Sequence, residues 1–353
     1  AKHLTECVWV FYESFHQCNI FLFEVRMNYR KFGGMDWQVS EIGLGTWQLG
    51  ADWGNVDDAM AEKVLRTAVN SGVTFFDTAD CYGEGLSEKR LGKFFKSCPE
   101  NVTIATKLGR FPQPGGLDNF SLQQFRQHTE GSLKRLGVEC LDLTQVHCPP
   151  TELIKQGDMF DWLRILKKEG KIKAFGLSIE SMEEAELCLK QEGVLSLQII
   201  FNVLRQKPIE AIFESALEKQ VALIIRLPLA SGLLSGNFSK NTSFAENDHR
   251  NFNRNGEHFN VGETFSGLPY EKGLELVSQL GDMIPNDIPL SLAALRWILD
   301  FEAVSVVIPG SKSPEQVQHN CRASDLTSLA PSLHETLKQF YKQDIASFIR
   351  GKY

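Results

Sequence analysis

No two cysteines of this 353-residue chain are spaced C-x-x-C; its eight cysteines, at positions 7, 18, 81, 98, 140, 148, 188 and 321, are scattered. That spacing fits neither a zinc ribbon nor a disulfide framework, so free thiols in a reducing, cytoplasmic setting are expected. The eight histidines contain no His-x-His pair, which excludes the usual ligand set of a metal-dependent barrel hydrolase, and no metal is expected. A basic surplus is also missing: the net charge is -7, and without cations to replace phosphate counterions a nucleic-acid partner is not expected. One apolar stretch, Val8 to Val25, is interrupted by Glu13, His16, Gln17 and Asn19 and precedes no small-residue cleavage site, so neither a membrane span nor a signal is expected.

At 42% hydrophobic and 23% charged, the composition is that of an ordinary globular protein, with no break that suggests a linker. Residues 1–26 are aromatic-rich and patternless and run into Met27-Asn28-Tyr29-Arg30, which reads as a natural start. They are expected to be a non-native or disordered extension, and residues 27–353 a single domain.

Past Gly43, short β-rich apolar runs alternate with amphipathic stretches, the pattern of β/α units and a parallel sheet. Eight strands are expected: Ile42–Leu44, Val73–Phe76, Val102–Thr106, Leu141–Val146, Ala174–Leu177, Leu197–Ile200, Ala222–Ile225 and Val304–Ile308. Between them, apolar residues such as Met60, Val64, Leu65 and Ala68 recur at helical spacing, and Asn70-Ser71-Gly72 stops that helix. A doubly wound sheet would show G-x-G-x-x-G after its first strand, but Gly43-Leu44-Gly45 is followed by Thr46-Trp47-Gln48. The expected fold is therefore α/β, a (β/α)8 TIM barrel. An N-terminal β-hairpin around Gly33-Gly34 would plug its bottom, and the long segment Gly236 to Gly267 after strand seven would form a lid on the C-terminal rim.

Polar residues recur where the apolar runs stop: Asp77, Lys107, His147, Ser178 and Asn202 each follow a strand candidate, and Tyr82 lies five residues beyond Asp77. Carbonyl reduction needs hydride at carbon and a proton at oxygen, and a phenol with a pKa of about 10 needs help to act as the acid. Lys107 is expected to lower the Tyr82 pKa, Asp77 to keep the lysine charged and oriented, and His147 to hydrogen-bond the substrate carbonyl.

This set resembles the Asp, Tyr, Lys, His tetrad of the aldo-keto reductases, and Gly72 to Glu88, containing Phe-Phe-Asp-Thr-Ala-Asp-Cys-Tyr-Gly, is very similar to that family's first signature. The resemblance implies Tyr82 as general acid and reduction of a small-molecule carbonyl by NADPH rather than NADH. It also implies that Ser178, Gln198 and Asn202 hold the nicotinamide carboxamide. Where the family commonly has Asn, this chain has Ile179, and Phe201 takes the place expected of a ring-stacking tyrosine.

Arg226-Leu227-Pro228-Leu229-Ala230-Ser231-Gly232-Leu233-Leu234 looks like the family's pyrophosphate segment, where glycine lets backbone amides approach phosphate. Ile308-Pro309-Gly310-Ser311-Lys312, with Gln316 and Asn320, is similar to its adenosine-phosphate site at a helix N-terminus. Ser311 and Lys312 are placed to meet a 2'-phosphate. Gly45, Thr46 and Trp47 match an element near nicotinamide and substrate, and Trp53 and Phe111 are expected as apolar pocket walls. The competing reading is a regulatory or sensor protein that keeps the barrel and cofactor with little turnover.

Overall fold

The computed structural model describes residues 26–50, 53–98 and 100–353, so the expectation for residues 1–26 lies outside them apart from Arg26. An antiparallel hairpin of β1 (Tyr29–Lys31) and β2 (Gln38–Ser40) precedes eight parallel strands. These are β3 (Leu44–Gly45), β4 (Phe75–Asp77), β5 (Thr103–Leu108), β6 (Leu141–His147), β7 (Ile172–Ser178), β8 (Val194–Ile200), β9 (Ala222–Arg226) and β10 (Val304–Val307). They pair in sequence order, β3 to β10. The seam closes because the Gly43 N–H donates to the Val307 carbonyl at 2.8 Å and the Val307 N–H donates to the Glu41 carbonyl at 2.9 Å. The expected eight-stranded barrel with its hairpin is present.

Helices pack outside the ring on stripes set by their 3.6-residue period. In Asp58–Asn70 the Asp57 carboxylate caps the first turn by accepting from the Met60 N–H at 2.7 Å, and Ala61, Val64, Leu65 and Ala68 are buried. Leu122–Leu136 is capped by Ser121 and stops at Gly137, whose φ of 72° suits glycine.

Strand alternation explains how the chemistry reaches the rim. Phe75, Ala105, Leu143, Ala174, Ala222 and Val306 form one buried cluster with Phe32 and Val39 of the hairpin, so the barrel's lower half is filled and plugged from below. Two residues further along β4, β5 and β6, the same face carries Asp77, Lys107 and Gln145, and two further along β6 it carries His147. The strands thus run further than the apolar pattern indicates. Asp77, His147 and Ser178 are last strand residues, Lys107 is the last but one, and Gln198 lies inside β8, because a polar side chain at the barrel mouth leaves ladder hydrogen bonding intact.

The segment after β9 is less irregular than expected. It holds a short helix, His249–Phe252, and tight turns at Val261–Glu263 and Phe265–Gly267. It is fastened over the first barrel loop by a bridge between Trp53 and Asp248, by the His249 ring 4.9 Å from Trp47 and 4.4 Å from Trp53, and by Arg250 over Trp53. Among the described residues no helix is long and apolar enough to cross a membrane.

Candidate active site

A cavity of about 800 Å³ opens at the C-terminal rim, at the upper end of the roughly 300–1,000 Å³ usual for small-molecule sites. At its floor Lys107 Nζ lies 2.5 Å from Asp77 Oδ2, 2.8 Å from the Thr78 carbonyl and 3.2 Å from the Tyr82 hydroxyl. Lys107 and Asp77 are buried. The other Asp77 oxygen accepts from Gln198 at 2.7 Å and Gln145 at 3.2 Å, so the carboxylate is held on both edges. Tyr82 is set by its backing: a Cβ on Gly50 would lie 2.6 Å from the Tyr82 backbone, so only glycine lets the first loop pass there. Trp47 stacks on the Tyr82 ring at 5.8 Å and 15°.

The electrostatics differ from expectation at Tyr82. Burial, then the Asp77 carboxylate, push its pKa well above the usual phenol value; the expected lowering by Lys107 is not the net result, because burial dominates. Burial and then Arg110 and Lys107 hold His147 well below the usual imidazole value. Cys81 Sγ is 3.6 Å from His147 Nδ1, and burial pushes that thiol up, keeping it protonated.

The cavity brings together most of the residues singled out in the sequence. Gly45, Trp47, Trp53, Asp77, Tyr82, His147 and Gln198 line one end, Arg226, Pro228, Leu229 and Gly232 the middle, and Ile308, Gly310, Ser311, Lys312, Gln316 and Asn320 the other. Lys312 Nζ spans to the Trp53 carbonyl at 2.7 Å.

Six others stand off it. Thr46 donates to the Asp77 carbonyl, Ser178 is buried against Cys148, and Leu233 is in the core. Asn202 spends its amide on Leu227 and Ser266, so it has no donor left for a carboxamide. Phe111 packs on His128 beneath Arg135 rather than on the cavity. Phe201 does not stack at the cavity either: its ring lies 5.0 Å from Phe213 and Trp297, between barrel and helices. The last residue of an apolar strand run alternates faces with its neighbours, and Phe201 falls on the outer one.

Sequence reasoning passed over Gln145, Cys81, Gln48, Arg250 and Glu263. Gln145 had a signal, a polar residue in the apolar run Leu-Asp-Leu-Thr-Gln-Val. Gln48 and Glu263 have none, since loop geometry brings them to the wall.

A model described as the aldo/keto reductase family matches residues 41–342. The chain belongs to that family. As an aldo/keto reductase it is an oxidoreductase of a family that uses nicotinamide cofactors on small carbonyl compounds. It is 28% identical to aldo-keto reductase YhdN of Bacillus subtilis over 83% of this chain and 87% of that one. It is 33% identical to aldo-keto reductase str7 of Strobilurus tenacellus, over 82% and 85%. Among solved structures, the holo form of aldo-keto reductase AKR11C1 from Bacillus halodurans superposes with a TM-score of 0.72 at 26% identity, covering 89% of this chain and 96% of that one. The glycerol dehydrogenase AKR11B4 from Gluconobacter oxydans, at 24% identity and a TM-score of 0.73 over 92% and 98%, shares the fold.

Proposed function

We propose that this aldo/keto reductase is a cytoplasmic, NADPH-dependent carbonyl reductase in which Tyr82 is the general acid. The observation that carries this reading is the Asp77–Lys107–Tyr82 chain of contacts, 2.5 Å and then 3.2 Å, buried beneath a cavity that Tyr82 and His147 line. A nicotinamide cofactor supplies hydride when bound. The remaining steps belong to the chain. Burial keeps Tyr82 protonated, which is the state a proton donor needs. As the substrate oxygen gains charge it takes the Tyr82 proton, and Lys107, 3.2 Å away, stabilises the phenolate left behind. In the proposed tautomer His147 Nδ1, 3.6 Å from the protonated Cys81 thiol, accepts from it, which leaves the imidazole proton on Nε2 to donate to the carbonyl.

The residues present suit the cofactor. Gln48 Oε1 and Arg226 Nε are buried beside the cavity without hydrogen-bond partners, and Gly232, at φ 97°, brings backbone close. Ser311 and Lys312 precede the helix Pro314–Cys321, with its Ser313 cap, and would receive the 2'-phosphate.

The test is NADPH and NADH binding by tryptophan quenching, followed by turnover of 4-nitrobenzaldehyde. Tyr82→Phe is expected to bind NADPH unchanged and lose roughly 10²–10⁴-fold in kcat. Tight binding without turnover in the wild type would favour the sensor reading. Lys312→Ala is expected to weaken NADPH by about tenfold and leave NADH unchanged, as loss of one charge-assisted contact to phosphate requires; equal weakening of both would remove the 2'-phosphate assignment.

A further inference from the structure

One polar side chain of the barrel floor touches the proton relay without reaching the cavity. Gln145 lies on β6, two residues before His147, and is fully buried; Asp77, Tyr82, His147 and Gln198 line the cavity and Gln145 does not. A buried amide is costly unless its donor and acceptor are both met, and here the relay itself meets them. Gln145 Nε2 donates to Asp77 Oδ1 at 3.2 Å, and Gln145 Oε1 accepts from Gln198 Nε2 at 3.3 Å. Gln198 Nε2 also donates to Asp77 Oδ1, at 2.7 Å.

The fold leaves room for this reach. Gln145 pairs with Lys107 on β5 and with Gly176 on β7, and β8 with Gln198 lies beyond. Gly176 brings no side chain between them, and nothing larger fits there, since a Cβ would lie 2.2 Å from Ser196 Oγ. The direction of the amide is fixed as well. Turned over, Gln145 would set its carbonyl oxygen against the Asp77 carboxylate and its NH2 group against that of Gln198, so one orientation alone satisfies all three side chains.

Both consequences fall on Asp77. Rotation of its carboxyl group about Cβ–Cγ is soft, and Lys107 Nζ, 2.5 Å from Oδ2, holds one oxygen only; the amides from β6 and β8 fix the other. Amide N–H groups aimed at a carboxylate also favour its charged form. Around it, Lys107 from β5 supplies the positive charge, and the Tyr82 hydroxyl, 3.2 Å from that lysine, is kept protonated by burial and then by Asp77. His147, beyond Gln145 on β6, is held neutral by burial, then by Arg110 and Lys107. Burial and then Glu88 push Asp80, three residues past Asp77, toward its neutral form. Arg226 at the end of β9 is paired with Glu263 of the lid at 3.3 Å. Gly45 of β3, Gly176 and Ser178 of β7 and Gln198 of β8 do not titrate.

We propose, resting on the reading of Tyr82 as proton donor, that Gln145 is a positioning residue for the proton transfer: from behind the cavity it fixes the Asp77 carboxylate, charged and turned toward Lys107. Lys107 is thereby held against the phenolate that Tyr82 becomes. A hydrocarbon side chain at position 145 would fill the same space and leave Asp77 Oδ1 with Gln198 alone. A carboxyl group there would act in two ways. Protonated, it donates to Asp77 Oδ1 and accepts from Gln198 as the amide does; ionised, it sets a second negative charge against Asp77 and against the phenolate.

The test is the pH profile of kcat for 4-nitrobenzaldehyde in wild type, Gln145→Met and Gln145→Glu, with NADPH affinity measured beside it. In Gln145→Met the acid limb is expected to move up by about one pH unit, the worth of one hydrogen bond to a charged group. Gln145→Glu is expected to restore the acid limb of the wild type and to gain a base limb, at a pH below the one at which Tyr82 itself ionises. The NADPH dissociation constant is expected to stay unchanged in both. Loosened packing lowers kcat at every pH, so a uniform fall with neither limb displaced would overturn the assignment. Nuclear magnetic resonance of the wild type supplies a readout without turnover: the side-chain amides of Gln145 and Gln198 are expected to shift with the same midpoint as the Asp77 carboxyl carbon. A Gln145 amide that does not follow Asp77 would overturn the assignment as well. Melting curves identify a variant that fails to fold, and the amide titration stands without it. Absence of wild-type turnover with NADPH bound would instead overturn the carbonyl-reductase reading.

Discussion

The contact between the Cys81 thiol and His147 Nδ1, 3.6 Å long, is where the proposed imidazole tautomer can be tested. The thiol is the one partner of Nδ1 among the described residues. Cys81→Ala is expected to lower kcat/KM by roughly three- to tenfold, the worth of a hydrogen bond of about 0.5–1.5 kcal/mol, with Cys81→Ser close to wild type. Nitrogen NMR of His147 would check it: a mixed tautomer population in the Ala variant supports the assignment, and an unchanged one removes it. At this scale the sequence was legible where a residue's position on a strand fixes its direction. Asp77, Lys107 and His147 could be read because alternation carries them into the barrel mouth together. Asn202 and Phe111 could not, since past a strand end the chain turns and its alternation no longer says which way a side chain points.

Among the elements, the lid carries its own titratable group. His249 is buried between Trp47 and Trp53, neither ring nitrogen has a hydrogen bond, and burial takes its pKa down to about 4, against opposing pulls from Asp248 and Glu263 and with a further push from Arg250. An unfolded or lifted lid would return the ring to its ordinary value near 6.5. The closed lid's stability is therefore complete above about pH 6.5 and is lost as pH falls toward 4, by up to about 3 kcal/mol for a shift of this size. Hydrogen exchange across residues 236–267 is expected to accelerate on acidification in the wild type and much less in His249→Phe, which keeps the ring contacts. Equal acid sensitivity of the two would remove His249 as the cause. The sequence showed that a long segment follows β9 but not its short helix and tight turns, because these are held by tertiary contacts to Trp53, Ser231 and Arg226 rather than by their own helical periodicity.

Across the whole molecule, stability and chemistry occupy opposite ends of the barrel. Phe32, from the hairpin, is fully buried against Phe75 of β4, 5.4 Å between ring centres, on the plugged side of the barrel. Phe32→Ala is expected to cost about 3–5 kcal/mol of stability and to leave the NADPH dissociation constant of the folded protein unchanged. Denaturant unfolding and fluorescence titration of one sample measure both, and a weakened affinity would show that plug and rim are coupled. Barrel and plug were legible because each strand announces itself locally. The seam was not, since no pattern in residues 41–45 names their partners at 304–310.

That seam also sets an order on synthesis. β3 leaves the ribosome early, and its partner β10 is among the last strands made, so for most of translation the sheet is an open ribbon whose first edge has unpaired amides and carbonyls. Such an edge recruits strands from other chains, and closure joins parts of the chain far apart in sequence, which is slow. The nascent protein therefore has its greatest need of a chaperone while β3 waits, and that need ends when Val307 meets Gly43.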